Sequence, residues 1–467
     1  MGLLFKGGEV VTATSREAAD VACEGEIITA VGPDLPVPPG AEVIDARGCL
    51  VFPGFIDPHV HLHLPGRVTT AKDDFASGTQ AALVGGTTTV IEMCCPETGD
   101  DLRESYARWQ AAAAGRAACD YSFHLGVARW DAHTEAQVRE IVAGGVTSLK
   151  IFLAYQGVYG LDDAALYGVL RLARELNVIV AAHCENATLV TERARELLAA
   201  GRTEPAAHHD SRPPVVEAEG VHHLLTFAEL TGAETYLAHT SCAEALEVAL
   251  AARRRGVRAR IEAVIQHLLL DKTWAERPDF EGAKYIMSPP LREARHQAVL
   301  WEALRAGHID TVATDHAPFD FATQKARGRG DFTQIPNGIP AIEERVKLLH
   351  TYGVGAGRIE LPTLVNAAST RAAKIFGLYP RKGTVAVGAD ADLVVFDPRR
   401  GGVISARTHR MNVDYSAFEG WRYEGSPVVV TVRGEVMVRD GRFAGSPGRG
   451  RFLARKVRPS ELADSAA

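Results

Sequence analysis

The sequence predicts an α/β protein: a (β/α)8 barrel with a small β-sandwich formed from both chain ends. Three observations lead there. Eight short apolar segments alternate with helical stretches through the middle of the chain, the pattern of a parallel sheet wrapped by helices. The two ends share another texture, short alternating strands punctuated by glycine. A length of 467 residues holds a barrel of about 250 residues or more and a second unit beside it.

In chain order, residues 1–52 carry the strand patterns "GLLFKGGEVVT", "ADVACEGEIITAVG" and "AEVIDARGCLVFPG", the N-terminal part of the sandwich. Residues 53–380 hold the barrel. Its strand candidates are "FIDPHVH", "TTTVIEM", "YSFHLGV", "SLKIFL", "VIVAAHCE", "TYLAHTS", "ARIEAVI" and "DTVATDH". Helical stretches such as "ASGTQAALVGG", "LYGVLRLAREL" and "CAEALEVALAARRRG" lie between them. Residues 381–446, with "GTVAVGADADLVVFDP" and "VVVTVRGEVMVRDGRF", return to the first texture and complete the sandwich. Residues 447–467 mix Gly, Pro and basic residues, a mobile or surface-wrapping tail, with an oligomer contact as the alternative.

The composition is that of a globular protein, 46% hydrophobic and 23% charged. A net charge of −7 gives no reason to expect nucleic acid or an anionic membrane as partner. The seven cysteines form no C-x-x-C pair, and Cys94 and Cys95 are adjacent, so a reduced, cytoplasmic chain is expected. The start of the chain lacks a signal-peptide pattern, Lys6 stands where a myristoylation motif wants Ser or Thr, and no apolar run is long enough to span a membrane.

Barrel active sites sit at the carboxyl ends of the strands. There the first strand offers His59 and His61, the fifth His183, the sixth His239 and the eighth Asp315. Residues two apart on a strand share a face, so His59 and His61 point together. Imidazoles and a carboxylate gathered at one mouth are a metal-ligand set. The fourth strand carries Lys150 inside "SLKIFLAY". A desolvated lysine has a lowered pKa and a nucleophilic neutral amine. That amine adds CO2 to give an anionic carbamate able to bridge two cations. Snorkelling to the barrel mouth, or pairing with an acid, is the alternative for Lys150; the histidines around it favour the carbamate. Two cations lower the pKa of a shared water and polarise a carbonyl, and Asp315 is placed to pass a proton to a leaving nitrogen. The chemistry implied is hydrolysis of an amide or a related bond.

The stretches "GFIDPHVHLHLPG", "SLKIFLAY", "AAHCEN", "YLAHTS", "KYIMSPPLR", "ATDHAPF" and "IPNGIPAIEERV" resemble the amidohydrolase superfamily. Within it they are most similar to the hydantoinase and dihydropyrimidinase family of cyclic amidohydrolases, and the similarity covers nearly the whole chain. The resemblance implies hydrolysis of the ring amide or imide of hydantoins or dihydropyrimidines to N-carbamoyl amino acids. It implies two divalent ions, Zn2+ first among them, one held by His59, His61 and Asp315 and the other by His183 and His239. Lys150, as N6-carboxylysine formed with CO2, would bridge them. It further implies Tyr155 as the donor to the developing oxyanion, Ser288 and Asn337 as readers of the ring's amide edge, a small-molecule substrate and a homotetramer. Allantoinase or dihydroorotase activity on the same centre is the alternative, and a non-catalytic relative a remote one.

The chain also departs from that pattern. His63 occupies the place where dihydroorotases usually carry arginine and hydantoinases aspartate, and "IEAVIQHLLLD" replaces a segment that often holds Cys-Pro. Other polar residues read as structural. Cys184 and Cys242 are expected in the core, His208, His209, His222 and His223 at the surface or in caps, and His316 behind Asp315.

Overall fold

A computed structural model describes residues 2–65, 69–97 and 99–457. All eight barrel strands form where the apolar segments lie: Phe55–Val60, Thr87–Cys94, Asp120–Gly126, Ser148–Gln156, Ile179–His183, Glu234–Leu237, Ala259–Val264 and Thr311–Ala313. Each pairs in parallel with the next in sequence. The ring closes where the His61 N–H donates to His316 O at 2.9 Å. Asp57 reinforces that seam, accepting Thr314 N–H at 3.2 Å and Thr314 Oγ1 at 2.6 Å.

The return helices begin where the sequence supplies a cap. Helices Phe75–Val84, Leu102–Ala113, Ala132–Ala143, Asp163–Leu176 and Ala187–Ala199 each follow an Asp or Asn whose side chain accepts a backbone N–H of the first turn. Such a cap contributes about 1 kcal/mol. It stops the chain from continuing as strand at the point where barrel geometry needs it to turn back.

The two chain ends join through Leu50–Pro53, which pairs antiparallel with Leu393–Asp397 inside a nine-stranded sheet. The sheet folds over its own core, with Phe5, Val21, Ile28, Val51, Leu393 and Val395. Barrel and sheet are locked by a buried ionic knot. Lys382 Nζ lies 2.7 Å from Asp120, 2.9 Å from Asp390 and 2.6 Å from Asp392, and Arg433 also binds Asp120. The three carboxylates are close enough to suggest a cation site; the lysine ammonium is the cation they hold.

The tail wraps the base of the barrel. Tyr121 N–H donates to Arg451 O at 3.0 Å, Leu453 N–H to Tyr121 O at 2.7 Å and Arg455 N–H to Gly145 O at 2.8 Å. The buried Arg455 guanidinium reaches Ser148 Oγ at 2.9 Å and also binds Phe123 O. The expected tail from 447 to 467 is thus seated as far as 457; its last ten residues lie outside the described residues. All seven cysteines are buried and unpaired. Among the described residues no helix is long and apolar enough to cross a membrane.

Candidate metal centre

The strand ends bring the candidate ligands together. Asp315 Oδ1 lies 3.2 Å from Nε2 of His59 and 3.0 Å from Nε2 of His61, and ligand atoms of the three fall within 4.8 Å of one another. His239 joins them, its ring 5.4 Å from that of His59, and His239 Nε2 is 3.1 Å from His183 Nδ1. Lys150 stands beside Ala181, two residues before His183 on the neighbouring strand, and is buried. Burial lowers its ammonium pKa, against the opposing pull of Cys95, Asp315, Glu262 and Cys184.

Backbone strain marks the same places. Tyr155, His239 and Asp315 adopt φ of 63°, 40° and 47°, and His63 adopts 59°. Such left-handed conformations are uncommon outside glycine and concentrate at functional sites. Each of the first three sits where its strand ends or has just ended.

Two buried carboxylates set the ring orientations. Glu262 Oε1 is 2.7 Å from His59 Nδ1 and accepts the His239 N–H at 2.8 Å, while Glu262 Oε2 accepts the Tyr236 hydroxyl at 2.6 Å. Glu185 Oε2 is 2.7 Å from His183 Nε2 and binds the Arg212 guanidinium. A neutral imidazole that donates from one nitrogen keeps its lone pair on the other, so His59 offers Nε2 and His183 offers Nδ1. Burial lowers the pKa of His61, His183 and His239, keeping all three in that neutral form. Burial also pushes the Asp315 carboxyl up, but the positive charge that His59, His61 and Lys150 carry when protonated outweighs it and holds the carboxyl down to about 2.

These donors fit a divalent cation. Nε2 of His59 is buried and finds no hydrogen-bond partner among the described residues. It is an imidazole lone pair beside a carboxylate, the chemistry of a ligand rather than of a satisfied core histidine.

Tyr155 stands at the rim, its ring 5.3 Å from that of His183 and 5.5 Å from the Arg212 guanidinium carbon. Ser288 and Asn337 meet each other, Asn337 Nδ2 donating to Ser288 Oγ at 3.1 Å. The Asn337 loop runs beside the closing barrel strand, where Ile339 bridges to His316, next to Asp315. His316 is pinned in place, its Nε2 3.0 Å from Asp73 and its Nδ1 accepting the Ala341 N–H.

His208 and His209 are not at the surface. Both are buried, and they hold the Ser288 loop from beneath: His208 Nε2 lies 2.9 Å from Met287 O and 3.2 Å from Ser288 Oγ, and His209 Nδ1 lies 3.0 Å from Leu291 O. Burial, aided by Arg212, pushes the His208 pKa down to about 3. The HHDS turn is polar in sequence, and only the fold of the loop above it encloses these rings. Cys184 and Cys242 are core residues, as their positions predict. Glu185, Arg212 and Glu262 carry no motif that would single them out in sequence.

The sequence profile of the amidohydrolase family matches residues 50–437. A D-hydantoinase of Geobacillus stearothermophilus is 47% identical over 99% of this chain and 98% of its own length. A dihydropyrimidinase of Rattus norvegicus is 37% identical over 97% of this chain and 89% of its own. Among solved structures, a D-hydantoinase (dihydropyrimidinase) from Thermus sp. superposes with a TM-score of 0.96 at 58% identity, covering 97% of this chain and 99% of that one.

Proposed function

This chain belongs to the amidohydrolase family, on its hydantoinase and dihydropyrimidinase side, and on that premise we propose that it opens the ring amide of a hydantoin or a dihydropyrimidine to the N-carbamoyl amino acid. The observation that carries the reading is the convergence of His59, His61 and Asp315 within 4.8 Å, with His239, His183 and Lys150 on three further strands of the barrel. His59, His61 and Asp315 would hold one divalent ion and His183 and His239 the other, with Lys150, as its carbamate, a ligand to both. Zinc suits these nitrogen and oxygen donors. When bound, the ions lower the pKa of water and polarise a carbonyl oxygen.

The chain's own residues do the rest. As the oxygen of a water bonds to the ring carbonyl carbon, the Asp315 carboxylate accepts the water's proton and delivers it to the ring nitrogen as the C–N bond breaks. The Tyr155 hydroxyl donates to the carbonyl oxygen as negative charge builds there. Ser288 and Asn337 hold the amide edge of the ring. We also propose a homotetramer in the cytoplasm, the state the resemblance implies, and sedimentation of the purified protein tests its size.

The deciding experiment is a panel of hydantoin, dihydrouracil, allantoin and dihydroorotate with zinc-loaded enzyme. Opening of hydantoin or dihydrouracil with the highest kcat/KM is expected. Preference for allantoin or dihydroorotate would transfer the function to those rings, a choice that turns on His63 beside the mouth. A folded, metal-loaded protein that opens none of the four would remove the reading.

A further inference from the structure

Lys325 is among the largest fully buried side chains of the protein. It opens a short turn, Lys325–Gly328, and its Nζ donates to Ile286 O at 3.0 Å and to Pro336 O at 3.0 Å. Among the described residues no carboxylate pairs with it. An ammonium buried without a counter-charge is costly. A leucine or methionine would fill the space without that cost, so the two carbonyl bonds are what the lysine contributes.

Those two carbonyls belong to the two loops that carry Ser288 and Asn337. Ile286 lies two residues before Ser288, and Pro336 immediately precedes Asn337. The loops touch at two further points, Gly338 N–H donating to Ile286 O at 2.9 Å and Asn337 Nδ2 to Ser288 Oγ at 3.1 Å. Ile286 O therefore receives the lysine and the Gly338 amide together. Gly338 is itself confined: its φ is 151°, and a Cβ there would meet Ala317 O at 2.3 Å. The packing beneath has no slack either, since a Cβ on Gly328 would meet Ile335 Cγ1 at 2.2 Å.

We propose that Lys325 is a positioning residue for ring recognition, its terminal amino group clamping the Ile286 and Pro336 carbonyls and so fixing the spacing of Ser288 and Asn337. The proposal rests on the reading of those two residues as substrate groups given above. It assigns Lys325 to binding, through the loops, and to no contact with the ring or with metal. A methyl-terminated chain takes the donor from the Pro336 carbonyl and leaves Ile286 O with the Gly338 amide alone, so the tie between the loops loosens and water enters.

The test compares zinc-loaded wild type, Lys325→Met and Lys325→Gln on hydantoin and dihydrouracil. In Lys325→Met, KM rises by about tenfold or more while kcat stays within about threefold and metal content is unchanged, the signature of lost uniform binding. Lys325→Gln keeps an amide donor and recovers most of the affinity. A KM within about twofold of wild type in Lys325→Met, or a loss confined to kcat, overturns the proposal. Where Lys325→Met does not fold, Lys325→Gln carries the kinetic comparison, and hydrogen exchange on the wild type gives an independent answer. The Gly338 amide is expected among the slowly exchanging ones, and free exchange there rules the clamp out. Wild type that opens neither ring sinks the substrate reading and leaves the exchange result to decide on the clamp alone.

Discussion

Glu262 meets His59 across 203 residues of chain, its Oε1 2.7 Å from the imidazole Nδ1. With the Tyr236 hydroxyl and the His239 N–H on the same carboxylate, it fixes one ring's tautomer and the other's backbone. In Glu262→Gln, the amide presents a donor or an acceptor to each partner but not acceptors to all three. The expected outcome is a metal affinity weakened about 10- to 100-fold with the fold intact. Competition with a chromophoric chelator measures it.

Lys150→Ala is expected to lose activity and to bind less than a full complement of metal, with partial recovery of turnover on adding short carboxylic acids, which supply the missing anion. Elemental analysis and rescue kinetics check both halves. Full activity with two metals in Lys150→Ala would exclude the carbamate.

Tyr155→Phe keeps the ring beside His183 and removes the donor. The expected loss is about 10²- to 10³-fold in kcat, as for deletion of one oxyanion donor, with KM nearly constant. Steady-state kinetics on hydantoin separate the two, and a change confined to KM would make Tyr155 a binding residue only.

Stability should carry a pH signature from Lys325. Burial lowers its pKa from the usual 10.5 to about 7, and His208, an imidazole that feels its charge, is neutral across this range. Between pH 7 and 10.5 the unfolded chain holds a proton that the folded chain has released, so folding is favoured more as pH rises. From pH 7 to 9 wild type should gain on the order of 2 kcal/mol relative to Lys325→Met. Thermal melts of the pair at both pH values read the difference, and parallel pH trends would contradict it.

Lys382→Met leaves Asp120, Asp390 and Asp392 buried without the cation between them. Breaking such a group by removing one partner costs about 3–5 kcal/mol. A lower Tm with an unchanged kcat in the protein that remains folded is expected, since the knot lies between the barrel and the sheet.

The barrel was legible because each strand is a compact apolar run and each early helix has its cap written in front of it. His59, His61, His183, His239 and Asp315 were legible for a similar reason: they end strands, and strand ends face the mouth. Glu262 was not, since its role depends on a strand pairing order that no local pattern encodes. His208 and His209 misled because a polar turn reads as surface until the loop that covers it is known. Nothing in the sequence marks Lys325, in the stretch "QKARGRG", since only tertiary packing buries it.

The pairing of Leu50–Pro53 with Leu393–Asp397 also sets a schedule for synthesis. The earlier strand leaves the ribosome long before its partner exists. One of its edges pairs with Gly2–Val11, already made; at about 5–20 residues per second, the other stays open for on the order of tens of seconds. The base of the barrel waits longer still, for Leu453 and Arg455. A nascent chain halted before residue 393 would therefore hold every metal-facing side chain and still lack the partner for its first apolar edge. Such an intermediate is one for chaperones to shield, and its lifetime is fixed by the order in which the chain is made.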